Sequence, residues 1–143
     1  MKVRRGGYKD IGDIIPFMQE YHADSNLADI PFIKGDAAKT VEYFIASKQA
    51  CPLVAENDEG ELIGILFASL EPYFFNSKYK YATDLQFISK GAGIQLLAEF
   101  KRWARQQGAE RIVMGVSSGD ARADAFLELS GSEKIGNMYV IRI

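Results

Sequence analysis

Apolar and polar positions divide this chain into alternating periods. Ile11, Ile14, Ile15, Met18 and His22 recur at helical spacing, which predicts a first helix. Asp10 is its natural N-cap. With that start Pro16 falls inside and kinks the helix; with a start at Asp13 it sits harmlessly in the first turn. A loop at 25–35, SNLADIPFIKG, carries enough apolar residues to fold over something. Asp36 then caps a second helix with Ala37, Val41, Phe44 and Ile45 inward. PLVAEN and ELIGILFASL, separated by the turn Asn57-Asp58-Glu59-Gly60, read as a hairpin. The second strand is apolar at nearly every position from Leu62 to Leu70, as befits a central strand covered on both faces. A third strand, Tyr81 to Ile88, follows the aromatic stretch PYFFN.

The clearest element comes next. Leu96, Leu97, Phe100, Trp103 and Ala104 form one face of a helix, charged residues fill the other, and Gly108 stops it. RIVMGVS is a buried strand. Asp120 or Ser118 caps a last helix with Ala123, Phe126 and Leu127 inward, Gly131 ends it, and MYVIRI is a final strand. With a short edge strand at Lys2 to Arg5 ahead of the first helix, the order β-α-α-β-β-β-α-β-α-β predicts a mixed α/β (α+β) sheet, largely antiparallel, with one parallel crossover and helices on both faces.

With 143 residues, the chain suits one domain, 1–143, around one core. A net charge of -2 and the lack of a basic stripe argue against a nucleic-acid partner. No apolar run approaches the ~20 residues that span a bilayer, so no membrane association is expected. One cysteine, Cys51, permits no intrachain disulfide, and the chain reads as cytoplasmic. Cys51 precedes a proline and reads as a small buried hydrophobe. One Cys and one His do not make a metal shell.

Candidate chemistry concentrates in FISKGAGIQLL. A strand breaks at Ser89, and Gly91 and Gly93 stand at the mouth of a helix. Helix N-termini present unpaired N–H groups and the positive end of the dipole, so a strand–glycine loop–helix is a candidate phosphate cradle. Lys90 adds a charge. The alternative is a tight turn and nothing more. A Walker loop would need a GK[ST] ending, and the dinucleotide fingerprint fails at Leu96.

KGAGIQLL resembles the RGxGxxLL core of the Gcn5-related N-acetyltransferases (GNAT). PLVAENDEGELIGILFASL is similar to that family's LVAE.DGEIVG hairpin, WARQQGAERIVMGV to its WA...GA..I.LGV segment, and DARADAFLELSG to N..A..LY.K.GF. YHADS resembles the MH.ES of one subgroup, at His22, Asp24 and Ser25. The resemblance covers nearly the whole chain. It implies acetyl-CoA as cofactor, splayed central strands, and direct transfer of an acetyl group to a primary amine of a small molecule or peptide. Homodimers are common among such proteins. It also implies that Gln86, Phe87 and Ile88 offer backbone groups to the acyl-pantetheine arm, and that Lys90, Gly91, Ala92, Gly93 and Ile94 surround the pyrophosphate.

By the same resemblance Asp84 is the candidate general base; the other reading is a solvent-facing strand carboxylate. His22, the sole histidine, is either a pocket residue with a proton to exchange or a helix-end residue half in the core. Three features depart from the pattern. Ile88 stands where the family has Gln or Arg. The loop lacks the PE.R approach. The tyrosine acid falls on Leu127, so a proton for the leaving thiolate has to come from water or another tyrosine such as Tyr139. These departures sustain two other readings: a catalytically impaired CoA-binding or protein-interaction module, and a structural α/β domain.

Overall fold

The computed structural model describes residues 1–116 and 120–143. Ser118, one of the two caps expected for the last helix, lies outside them. Five strands form one sheet in the order β1-β2-β3-β4-β5. They are β1 (Lys2–Arg5), β2 (Ala50–Glu56), β3 (Leu62–Tyr73), β4 (Asn76–Ser89) and β5 (Arg111–Val113). The first four pair antiparallel in sequence order, and β5 joins β4 in parallel. The crossover between them is α3 (Gly93–Gln106).

The apolar periodicities bury two cores, one on each side of the sheet. On one face α1 (Ile11–Ala23) and α2 (Lys34–Ala46) set Ile14, Phe17, Met18, Val41 and Phe44 against Val54, Ile65, Phe67 and Ile88. On the other, α3 sets Leu96, Leu97, Phe100 and Ala104 against Leu53, Leu66, Ala68 and Ala82. Phe126 of α4 (Ala121–Leu129) packs at the margin of this second core. Gly60 and Gly108 both adopt positive φ, 84° and 73°, where the turn and the helix stop require it.

Several local expectations are corrected. The α1 helix begins at Ile11, so Pro16 does lie in its interior. The Asp10 carboxylate caps no α-helical N–H; it accepts from the Gly7 N–H and from Arg4, which holds it down at about 2. Asp36 sits in the first turn of α2 rather than before it. Of the expected strand RIVMGVS, whose Ser117 lies outside the described residues, Arg111–Val113 alone among the described residues join the sheet. MYVIRI pairs with none of the five strands: Met138, Tyr139, Val140 and Ile141 are exposed, and Arg142 reaches Asp29 of the α1–α2 loop at 3.0 Å. A strand needs a partner edge as well as β-forming residues, and this segment pairs with none of the five strands.

Candidate functional site

The β4 strand is twice as long as β2, and its two edges have different fates. Along β3 it is paired from Asn76 to Ser89. Along β5 it pairs only through Tyr81, Ala82 and Thr83, opposite Arg111, Ile112 and Val113. From Asp84 to Ser89 the β5-side edge has no strand partner among the described residues. The predicted splay is therefore present, with Asp84 at its root.

The register of β4 against β3 shifts between Gln86 and Asp84, leaving Leu85 as the extra residue of a bulge. Ala82 and Asp84 lie opposite Leu70 and Ala68; beyond the bulge Phe87 lies opposite Leu66, which belongs to the same α3-side core as Ala68. The bulge thus keeps Asp84 and Phe87 on one face, where simple alternation would separate them. Phe87 meets Phe126 edge to face at 5.9 Å between ring centroids.

Burial pushes the Asp84 carboxyl up to about 6, against a weaker downward pull from the backbone N–H groups of Asp84 and Gly115. Its Oδ1 is buried without a hydrogen-bond partner among the described residues. A carboxylate with one oxygen unserved, at the root of a cleft and poised near neutrality, is suited to take a proton.

At the other end of the splay stands the glycine loop. The Lys90 N–H donates to the Ile63 carbonyl at 2.8 Å, the Ala92 N–H donates to Ser89 Oγ at 2.7 Å, and the first helical bond runs from the Leu96 N–H to the Ala92 carbonyl. The N–H groups of Gly91, Gly93, Ile94 and Gln95 have no acceptor among the described residues. Gly91 has φ of 95°, a left-handed conformation, and a β-carbon there would meet nothing within 4 Å. Gly93 is different: a β-carbon would stand 3.3 Å from Cζ of Phe126. Only Gly91 leaves open space beside the loop; Gly93 makes room for α4.

Lys90 is already engaged. Its Nζ lies 3.0 and 3.2 Å from the two Glu20 carboxylate oxygens, and 5.3 Å from the centroid of the Phe17 ring. Tyr21, one turn further along α1, donates its hydroxyl to the Ser89 carbonyl at 3.4 Å.

Of the remaining sequence candidates, Gln86, Phe87 and Ile88 lie on the unpaired edge, although the Ile88 side chain itself is buried in the α1–α2 core. His22 hydrogen-bonds the Ile30 carbonyl at 2.7 Å and lies against Phe32, with 5.4 Å between ring centroids, closing the loop that follows α1. Leu127 is half-buried. Tyr139, offered above as a substitute acid, is 88 % exposed and accepts from Asn137, so it points away from any enclosed site. Burial pushes the Cys51 thiol up to about 12. No group of His, Cys, Asp and Glu that could hold a metal ion occurs among the described residues. Among the described residues no helix is long and apolar enough to cross a membrane.

The PYFFN segment forms the β3–β4 turn, and a cavity of about 320 Å³ lies beside it, lined by Pro72, Tyr73, Phe74, Phe75, Tyr81 and Val113. Sequence reasoning missed Glu20, Tyr21, Ser89 and Gly115. Tyr21 was accessible in principle, since it lies four residues after Phe17 on the inward face of α1, with their rings 5.6 Å apart. Gly115 carried no signal before the splay was known.

A mixed sheet that splays between its one parallel pair and opens on a glycine-turned helix N-terminus defines an acyltransferase-like fold. Residues 18–131 match the model of the acetyltransferase (GNAT) family, and the chain belongs to that family. No curated protein sequence matches it. Among solved structures it is similar to a ribosomal-protein-alanine N-acetyltransferase from Brucella melitensis biovar Abortus 2308 (TM-score 0.75, 15 % identity, covering 100 % of each chain). It is similar to a predicted acetyltransferase with acetyl-CoA from Clostridium acetobutylicum (TM-score 0.78, 13 % identity, 99 % of this chain and 95 % of that one). A third is an aminoglycoside antibiotic 6'-N-acetyltransferase from Acinetobacter baumannii (TM-score 0.75, 13 % identity, 99 % and 97 %). At these identities the likeness is one of fold. GNAT acetyltransferases generally use acetyl-CoA.

Proposed function

We propose that this protein transfers the acetyl group of acetyl-CoA to a primary amine. One observation carries the reading: the unpaired edge of β4 runs from a buried, half-served carboxylate at Asp84 to an open set of amides at Gly91, Gly93, Ile94 and Gln95. A ligand with an extended amide-bearing arm and a pyrophosphate would satisfy both. Backbone groups of Gln86, Phe87 and Ile88 would hold the arm along β4. The loop amides at the positive end of α3, where Gly91 leaves space, would hold the pyrophosphate. Bound acetyl-CoA would supply a thioester activated for attack.

The chain's own contributions are positioning and proton transfer. Holding the amine against the acyl carbon removes much of the entropic barrier. Backbone N–H groups freed around the Leu85 bulge polarise the acyl oxygen. Asp84, ionised above about 6, takes the proton that the amine sheds. Leu127 supplies no proton to the leaving thiolate, so water serves there.

The acceptor is a small-molecule or peptide amine; the structural neighbours named for protein alanine and for an aminoglycoside both act on amines. A second reading, a CoA-binding module with little or no catalysis, is favoured by Leu127 and by the exposure of Tyr139. A thiol-release assay with acetyl-CoA over a panel of amines and N-terminal peptides separates the two. Turnover that depends on Asp84 supports the first. Micromolar binding with no release above the spontaneous rate supports the second.

A further inference from the structure

Ser89 makes two contacts that the transfer chemistry does not use. Its Oγ accepts the Ala92 N–H at 2.7 Å, three residues along, and its carbonyl accepts the Tyr21 hydroxyl at 3.4 Å. Ala92 is fully buried in the α3-side core, so its N–H has no water to turn to. A buried N–H left unpaired is costly, and the loop would rotate to expose it. Ser89 removes that pressure. With Ala92 fixed inward and Gly91 in a left-handed conformation, the amides on either side are left for solvent or a ligand. The loop is also short: three residues, Lys90 to Ala92, lead from the last strand residue, Ser89, into α3. A loop this short has few backbone bonds of its own to hold its shape; among the described residues, the Lys90 N–H is its one amide bonded to a sheet backbone carbonyl, that of Ile63.

We propose that Ser89 is the positioning residue of the phosphate loop: its hydroxyl holds the Ala92 amide inward, which pre-orders the Gly91, Gly93, Ile94 and Gln95 amides for an anion, while Tyr21 braces Ser89 from α1. This rests on the acetyl-CoA reading above. Ser89 itself touches neither the acyl group nor the amine.

The test is calorimetric titration of wild type, Ser89→Ala and Ser89→Thr with CoA, together with amide hydrogen exchange without nucleotide. Ser89→Ala is expected to weaken CoA binding about tenfold and to speed exchange at Ala92, as loss of one buried hydrogen bond requires. Ser89→Thr, which keeps the hydroxyl, is expected to stay within about threefold of wild type. If Ser89→Ala fails to fold, Ser89→Cys keeps the volume with a poor acceptor and has to show the same loss. A lower melting temperature with unchanged CoA affinity would make Ser89 merely structural and overturn the proposal. So would tighter binding by Ser89→Ala, which would mean that Oγ competes with the anion for Ala92. An Ala92 amide that exchanges freely in wild type also overturns it. Wild type that binds no CoA sinks the acetyl-CoA reading and this inference together; wild type that binds while Ser89→Ala is unaltered sinks this inference alone.

Discussion

Phe126 of α4 stands 3.3 Å from the place a β-carbon on Gly93 would occupy, whereas the same atom on Gly91 would face open space. The two glycines therefore do different work, and their alanine variants separate. Gly93→Ala pushes on Phe126 and loosens α4, costing about 1 kcal/mol of stability. Adding Phe126→Leu, which withdraws the ring, recovers much of that loss. Gly91→Ala introduces no clash but strains a left-handed backbone, by about 1–2 kcal/mol. Chemical denaturation of the four proteins checks this; Gly93→Ala that gains nothing from Phe126→Leu would contradict it.

As the proposed base, Asp84 is expected to couple activity to stability with opposite signs. Its folded-state pKa is raised from 3.8 to about 6 by burial. A raised acid favours the protonated form, so its contribution to stability is full below the unfolded value and is lost as pH rises through about 6. Asp84→Asn is then more stable than wild type by about 2 kcal/mol near pH 8, with the gain vanishing toward pH 4. Acetyl transfer runs the other way. It rises through about 6 as the base ionises, and Asp84→Asn lowers it by a factor of about 10²–10³. Paired urea melts and rate–pH profiles test both. A stability difference that is flat with pH, or a variant as fast as wild type, would remove Asp84 from its role.

Glu20 withholds Lys90 from the glycine loop. Neutralising the carboxylate with Glu20→Gln frees the ammonium to turn toward bound phosphate, so CoA binding is expected to tighten by a few-fold at low salt and to lose that advantage at high salt. Lys90→Ala is expected to weaken it. Identical affinities in Glu20→Gln and wild type at low ionic strength would show that Lys90 faces the loop regardless.

His22 fastens the loop that follows α1. His22→Ala releases the Ile30 carbonyl and the Phe32 ring. The expected result is a higher KM for the amine with kcat changed less than about tenfold, the mark of a binding effect. A loss in kcat of a thousandfold would instead make it a proton carrier.

The sequence made the helices of both faces legible because each buries a strongly periodic stripe: Leu96, Leu97, Phe100 and Ala104 are buried as their spacing requires. The hairpin at Asn57–Gly60 was legible from turn chemistry, with Asn57 Oδ1 accepting from both Glu59 and Glu61. The splay was legible only through family resemblance. Nothing in DLQFIS states that β5 stops at Val113, since that depends on how three separate segments meet. Pairing of MYVIRI failed for the same reason: composition favours a strand, while the available edge is decided elsewhere in the fold. The site's bracing residues were hidden because Ser89 and Tyr21 look like ordinary polar and aromatic positions until α1 is laid against the end of β4.

The central claim, that the glycine loop and the open edge of β4 receive an acyl-CoA, is tested most directly by calorimetric titration of the purified protein with acetyl-CoA at moderate salt. A micromolar dissociation constant is the predicted result. No heat of binding up to millimolar acetyl-CoA would contradict it, and would leave Gly91 as a turn residue alone.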